Sequence, residues 1–483
     1  MRKLWAQPNG PMPAEAIHMP SRARSARVGL VWVCKQACKT HMLAYPSQEL
    51  ARSALQNVVA DVRTESSSKA AFCRNMQRWS AANTATATAV MADPASVLAP
   101  GVLPCFDLPA QRAAFEAHAA AHPARTWIWK PDCASSGVGV LLGTARHTRG
   151  MPPRKYAHAH NGSYSGAPVV VQQLVPMPLL IGGHKMDLRL YCLVFFDPVG
   201  APRVYLHRNG GVKVAEAAFE PEGQPSPSSV ISNFQADASH PPAYKLRRAI
   251  SEQAGLHGAH RWAAIWAKVE EAVAHAVLGV GPRLGCRNPR ASARSRAVPC
   301  GRTFQLFGID VVVDGVADTA HVMEINSDPG MYPWMSEVRN RWSVFGGAKR
   351  PAHRMYEEVY VDLLAAIGYA PPPRDMFEPL APGEEASRMR GLRCVRGGRR
   401  RGGRRRGVES CDAGTADFFN ASLRRDTTGF ALVFPTTARC ADAAVTTRLE
   451  ALYAWPLAKL GRAGGTCANL YGGMPGIASL LRG

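Results

Sequence analysis

Phe304-Gln-Leu-Phe-Gly-Ile-Asp310-Val-Val-Val-Asp-Gly315, followed by His321-Val-Met-Glu324-Ile-Asn326, is the stretch on which the fold turns. Both segments are rich in β-branched and apolar residues, and Asp314-Gly315 between them carries turn chemistry, so they read as an antiparallel hairpin. With a loop symmetric about Ala317, Asp310 lies directly across from Glu324. Asn326 is two residues further on and shares the face of Glu324. Opposed carboxylates repel on a bare sheet, so a positive charge belongs between them. Hard oxygen donors in an incomplete cage suit Mg²⁺ that also holds phosphates. The plain alternative is two exposed acids on a hairpin, and a one-residue slip would turn Asp310 to the wrong face.

Upstream, His184-Lys-Met-Asp-Leu-Arg-Leu-Tyr191 sets Lys185, Asp187 and Arg189 at alternate positions, with Met186, Leu188 and Leu190 between them. On a strand the first three share one face and the second three enter the core. A cation–anion–cation row can hold phosphate, ribose or a carboxylate, with Arg as the fork and Lys as the point charge. A solvated face of weak exposed pairs explains the same pattern. Arg208 follows at a strand end in Tyr205-Leu-His-Arg-Asn-Gly210, as a second carboxylate clamp or an exposed loop residue. Further upstream, Lys130-Pro-Asp-Cys-Ala-Ser-Ser-Gly137-Val-Gly139 is a strand-end lysine followed by a small-residue loop. Gly137 and Gly139 let backbone amides approach a phosphate, and Ser135 and Ser136 add hydroxyls. The loop lacks the Gly-Lys-Ser/Thr ending of a Walker motif.

Around these segments the pattern is mixed. Phe106 and Leu108 read as a strand, Phe115 as part of a helix beginning near Pro109, and Trp127-Ile-Trp129 and Val169–Val175 as strands. The spacing of Trp262, Ile265, Trp266, Val269, Val273 and Val277 predicts a helix over Arg261–Leu278 with an apolar face in the core. A second helix is expected near Glu357–Ile367, with Val359, Leu363 and Ile367 on one side. Ser66–Ser68 and Ala81–Ala89 read as loop or weak helix, and 281–302 as an inserted loop. Arg388–Gly407 is an Arg/Gly run that cannot bury a core and is expected to be disordered. The chain has 483 residues and a net charge of +22, which draws it to polyanions. No apolar run is long enough to span a membrane and no secretory signal is apparent, so the 12 Cys are expected to be reduced thiols. Cys34 and Cys38 lack a second pair at zinc spacing.

The order of these pieces resembles the tubulin tyrosine ligase-like family of ATP-grasp enzymes. Trp127-Ile-Trp-Lys-Pro resembles its "W-I-x-K-P"; Val170-Val-Gln-Gln-Leu-Val-Pro-Met-Pro-Leu-Leu-Ile181 its "V-V-Q-K-Y-I-x-x-P-L-L-I"; and Lys185-Met-Asp-Leu-Arg-Leu-Tyr191 its "K-F-D-L-R-x-Y". Tyr205-Leu-His-Arg-Asn-Gly210, Phe304–Asp310 and Met323-Glu-Ile-Asn-Ser-Asp-Pro329 are similar to "Y-L-Y-R-E-G", "F-E-L-F-G-x-D" and "x-E-V-N-x-x-P". Ser232-Asn233 stands where the family has Thr-Asn. The likeness covers about 95–370.

The resemblance implies an α+β, ATP-grasp fold with the nucleotide between two subdomains. It implies a partly ordered N-terminal region over 1–95, a ligase domain over 96–370 and a basic tail over 371–483. It assigns Lys130 and Lys185 to ATP phosphates, with Ser135, Ser136, Gly137 and Gly139 beside them. Gln172, Gln173 and Leu174 would lie along the adenine, Asp187 near the ribose, and Ser232 and Asn233 nearby. Asp310, Glu324 and Asn326 would hold Mg²⁺, and Arg189 and Arg208 the substrate carboxylate. The sequence departs from the family at Ser136, which replaces an Arg, at Val230, which replaces a His, and at Gln173 and Leu174, which replace the hinge Lys and Tyr.

The implied chemistry is ligation of a free amino acid to a carboxylate through an acyl phosphate, with ATP and Mg²⁺. Charge suggests the acidic tails of tubulin as acceptor, with the Arg/Gly run as tether, which places the chain in the cytoplasm on microtubules or cilia. Glutamate is the amino acid expected, with glycine and tyrosine the alternatives. An inactive microtubule-binding scaffold is the rival reading. RNA binding by the Arg/Gly run is disfavoured because the run lacks interleaved aromatics.

Overall fold

The computed structural model describes residues 30–31, 55–56, 61–82, 99–108, 110–132, 140–144, 169–196, 202–221, 226–232, 246–284, 303–327, 329, 358–359, 362–363, 366 and 429–434. In chain order the elements that build the site are helix α1 (Lys69–Ala81), strand β1 (Cys105–Leu108), helix α2 (Arg112–Ala121), and strands β2 (Thr126–Pro131), β3 (Leu141–Thr144) and β4 (Val169–Gln173). Then come β5 (His184–Phe196), β6 (Pro202–His207), β7 (Gly211–Val214), β8 (Leu246–Ala249), helix α3 (Ala259–Val280), β9 (Phe304–Val313), β10 (Ala320–Asn326) and β11 (Phe430–Phe434).

They form two sheets, and the chain is α+β. The larger runs β8-β7-β5-β9-β10, with β6 and β11 extending it beside the C-terminal half of β5 and a two-residue strand, Leu180–Ile181, at its N-terminal end. The smaller runs β1-β4-β2-β3. Neighbouring strands in both are antiparallel.

Alternation sorts the larger sheet into two faces. Leu188, Leu190, Phe307, Ile309, Val311, Val322 and Ile325 turn to one side and pack with Ile265, Val269 and Val273 of α3. Lys185, Asp187, Arg189 and Asp310 therefore share the other. The one-sided stripe expected of α3 holds for its first half. From Ala272 to Val280 every residue is buried, because α1 covers the flank that the stripe leaves open. There Trp79 Nε1–H donates to His275 Nδ1 at 2.9 Å.

The smaller sheet is also two-faced. Phe106, Trp127, Trp129 and Val171 pack with Phe115 of α2, while Cys105 and Val170 meet Ala70 and Cys73 of α1. Cys73 and Cys105 are joined in a disulfide, which corrects the expectation of reduced thiols throughout. The contact of α1 with β1 brings the two together at a point where both are buried. Cys192, in the main core, is free, and burial pushes its thiol up.

The helix expected near 357–367 is formed at the residues described there, with Val359 and Leu363 buried. Ile367, the Cys34/Cys38 pair, Asn83–Ala89 beyond the end of α1, the insert beyond Leu284 and the Arg388–Gly407 run lie outside the described residues. Leu190 is fully buried on the central strand β5. Leu190→Ala should cost about 2–5 kcal/mol in urea denaturation. A loss below about 1 kcal/mol would contradict this packing.

Candidate active site

The hairpin delivers the register read from the sequence, by a different route. Asp310 pairs with Glu324, Ile309 with Ile325 and Gly308 with Asn326. Beyond Asp310 the pairing slips by one, Val311 to Val322, so the turn is centred between Val316 and Ala317 and a bulge at Met323 makes up the difference. Asp314 holds the turn: its Oδ1 accepts from the amides of Val316 and Ala317. The bulge keeps Glu324 and Asn326 on the face of Asp310 and leaves Ile325 in the core.

On that face Asp310 is the most tightly held acid. It pairs across β5 with Arg189. Arg189 Nε donates to Oδ1, and Nη2 donates to Oδ2 at 2.9 Å. Lys213 Nζ, from β7 on the far side of β5, donates to Oδ2 at 2.6 Å. Burial alone would push the Asp310 carboxyl up, but the two cations outweigh it and hold it well below the usual carboxylate range. Burial would lower the Arg189 pKa, and Asp310 raises it. Lys213 is the weaker cation, lowered by burial and by Arg189 despite the pull of Asp310.

The positive charge required between opposed acids is therefore supplied in part by side chains. Arg189, read as a clamp for a substrate carboxylate, is instead forked onto Asp310, and its Nη1 donates to the carbonyl of Pro329 at 3.3 Å. Lys185 and Asp187 are likewise paired with each other and buried, not set on a solvated face. Ser232 Oγ–H donates to Asp187 Oδ2. Glu324 and Asn326 are half-buried, and Asn326 Nδ2 donates to Glu324 Oε1 at 3.2 Å.

The smaller sheet contributes Lys130. Its Nζ donates to Gln172 Oε1 at 2.6 Å, both on the face away from α2. Burial lowers the Lys130 ammonium to about 8; Glu324 and Asp187 raise it, while Lys69 and Lys185 lower it further. A lysine of one sheet thus lies within electrostatic reach of carboxylates on the other. Gln173 turns to the opposite face, where Arg125 Nη1 donates to its Oε1 at 2.9 Å. The Gln173 and Leu174 amides donate to the carbonyls of Pro104 and Thr126. Of the three expected along an adenine, Gln172 thus shares the face of Lys130 and Gln173 does not.

Arg208 is exposed beyond β6, its backbone N–H donating to Gly429 O at 2.9 Å, and it is not part of the buried cluster. Val230, in place of the family's His, is buried in a short helical turn, Pro227–Val230. Ser135, Ser136, Gly137, Gly139 and Asn233 lie outside the described residues.

Two contributors were missed in the sequence. Lys213 was legible as the alternate position of Gly211-Val-Lys213-Val. The other is Ser66–Ser68, which read as loop or weak helix. Ser67 Oγ accepts from the amide of Ser327, just past β10, and Ser68 Oγ–H donates to the carboxylate of Asp132, just past β2. Ser68 is also the N-cap of α1, accepting from Ala71 N–H. The signal was Ser68 ahead of Phe72, Met76 and Trp79 at helical spacing.

The donors present fit a hard dication. Asp310 Oδ1 keeps a lone pair beyond its bond to Arg189, and Glu324 and the Asn326 amide oxygen flank it on one face. Lys130 and Lys185 stand near for an anion. A family model described as the tubulin-tyrosine ligase family matches residues 99–342, just over half of the chain. The chain belongs to that family.

Relatives within the family are distant. Mouse tubulin monoglutamylase TTLL4 is 25% identical over 229 residues, covering 43% of this chain and 16% of the relative. Human tubulin polyglutamylase TTLL13 is 24% identical over 254 residues, 48% of this chain and 26% of the relative. Human probable tubulin polyglutamylase TTLL2 is 24% identical over 223 residues, 42% of this chain and 31% of the relative. The chain therefore spans under a third of the length of each. Among solved structures, the C-terminal domain of K. lactis Pby1, an ATP-grasp enzyme interacting with the mRNA decapping enzyme Dcp2, is 14% identical. The match covers 67% of this chain and 78% of that one at a TM-score of 0.38.

Removing Asp310 should expose what it balances. Asp310→Asn leaves two buried cations facing each other and should cost about 3–5 kcal/mol in chemical denaturation. Adding Lys213→Met should recover part of that loss. A double variant no more stable than the single one would mean that Lys213 is not held there by Asp310.

Proposed function

We propose that this chain is an ATP-dependent ligase that adds an amino acid, glutamate by preference, to glutamate side chains in the acidic tails of tubulin. The observation that supports this is the convergence of Asp310, Glu324 and Asn326 on one face with Lys185, while Lys130 couples to Glu324 from the second sheet. Asp310, Glu324 and Asn326 would hold Mg²⁺, and Lys130 and Lys185 would hold phosphates. ATP held there would supply the phosphoryl group that turns a carboxylate into an acyl phosphate with release of ADP, and the amino group of the incoming amino acid would displace phosphate to form the amide.

The chain's own residues do the positioning. The Asp310–Arg189–Lys213 cluster fixes the strand faces, so that Glu324 and Asn326 need little reorganisation on binding. Arg189 retains N–H donors beyond those given to Asp310 and Pro329, and these would orient the anionic reactant with Arg208 entering from the rim. The net charge of +22 supports an acidic protein partner, in an encounter that salt weakens. That partner would place the protein on microtubules. No described helix is long and apolar enough to cross a membrane.

A non-catalytic microtubule-binding scaffold is the second reading, favoured by Val230 and by the commitment of Arg189 to Asp310. Incubation with ATP, Mg²⁺, tubulin and labelled glutamate, glycine or tyrosine separates the two. Glutamate incorporation is expected, and Glu324→Gln should abolish it while leaving microtubule binding intact. Unchanged incorporation by that variant would remove Glu324 from the metal site.

Lys130 adds a pH signature. Its ammonium holds a phosphate only while protonated, and it titrates near 8. Nucleotide affinity should therefore be flat below about pH 8 and fall above it, and Lys130→Arg should remove that fall. A flat profile to pH 10 in the wild type would exclude Lys130 from the phosphate contacts.

A further inference from the structure

Away from the candidate active site, three segments distant in sequence meet at the far edge of the larger sheet. They are the end of β6, the helix carrying Glu358 and Asp362, and the start of β11. His207 is fully buried, Asp362 is largely covered and Glu358 is exposed. His207 Nε2 lies 2.9 Å from Asp362 Oδ2. Glu358 and Asp362 stand at i and i+4, one helix face. One ligand atom from each of His207, Glu358 and Asp362 falls within 4.8 Å of the others, and it is the one such group among the described residues.

We propose that His207, Glu358 and Asp362 bind one divalent transition-metal cation of zinc-like preference, which fastens the helix and β11 to the edge of β6. Three observations support this. The donor set, one imidazole and two carboxylates, suits zinc and its neighbours better than Mg²⁺. His207 is oriented as metal-bound histidines are, with its other nitrogen, Nδ1, 2.9 Å from the backbone carbonyl of Asn209. The Asn209 amide donates to Nδ1 at 3.0 Å, so without a metal Nε2–H donates to Asp362 Oδ2; a metal on Nε2 would take the place of that hydrogen and leave Nδ1 to donate to the Asn209 carbonyl. With a neutral imidazole the group carries two negative charges, which one dication cancels.

The roof of the site is built around it. The amide of Gly429 donates to Asp362 Oδ2 at 2.7 Å, and Phe430 sets its ring edge-on to His207 at 4.8 Å. A Cβ at Gly429 would lie 2.5 Å from His207 Nε2 and 2.7 Å from Asp362 Oδ2, so only glycine lets the strand pass this closely over the pair. Glu358 forms the open side, with one oxygen, Oε2, accepting from Asn209 Nδ2 at 2.9 Å.

The test uses the full chain with its disulfide intact, stripped with a chelator and carrying Glu324→Gln to silence the candidate Mg²⁺ site. It is titrated with Co²⁺ and Zn²⁺. One equivalent of Co²⁺ is expected, with visible d–d bands and no thiolate-to-metal band, and Zn²⁺ should displace it and raise the melting temperature. Glu358→Gln, an exposed change that spares folding, and Asp362→Asn should each weaken Co²⁺ binding about tenfold or more. No stoichiometric binding, thiolate bands, or an affinity unchanged by either variant would overturn the proposal and leave His207–Asp362 as a hydrogen-bonded clamp only.

Discussion

The carboxylate of Asp310, caught between Arg189 and Lys213, is the interaction on which the site rests. Two cations and one anion are buried together at the middle of the larger sheet, on β5, β7 and β9. Such a cluster repays its desolvation only if the geometry is good and the hydrogen bonds are made. Here Asp310 Oδ2 accepts from both cations, and Oδ1 accepts from Arg189. The cluster fixes which face of three strands is polar. Once that is set, Glu324 and Asn326 have one place to stand. The excess positive charge beside them also offers an anionic reactant a ready counterpart.

The second requirement is that the two sheets keep a fixed relation. Ser67 and Ser68 meet it with two hydroxyls, one bonded to the strand end beyond Asn326 and the other to the strand end beyond Lys130. The helix that follows is tied to the smaller sheet by the Cys73–Cys105 bond and to α3 by Trp79 and His275. Lys130 owes its place near Glu324 to this brace as much as to its own strand. Relaxing the brace would separate phosphate-binding and metal-binding groups without altering either.

Much of this was legible because strand alternation is a strong code. The faces of Lys185–Arg189, the pairing of Asp310 with Glu324 and the buried stripe of α3 all follow from periods of two or 3.6. What escaped depends on tertiary context. A bulge at Met323 cannot be read from a symmetric loop, although here it restored the expected register. Arg189 was expected to face a ligand because sequence does not show Lys213 arriving from β7 to make a three-member cluster. Gln173 shares a motif with Gln172 but, one residue on in a strand, must face the other way. β11 went unseen, although Gly429 and Pro435 bracket Phe430-Ala-Leu-Val-Phe434, because its partner lies more than two hundred residues upstream.

That last strand has a consequence for how the protein is made. β6 emerges from the ribosome with its outer backbone groups unpaired, and its partner is synthesised more than two hundred residues later. Until then the growing polypeptide displays an open, apolar edge, the kind of template on which chains pair with one another. Closing so long an interval is a slow event governed by contact order. β11 is thus the cover of an edge that stays open while translation runs from His207 on to Phe434.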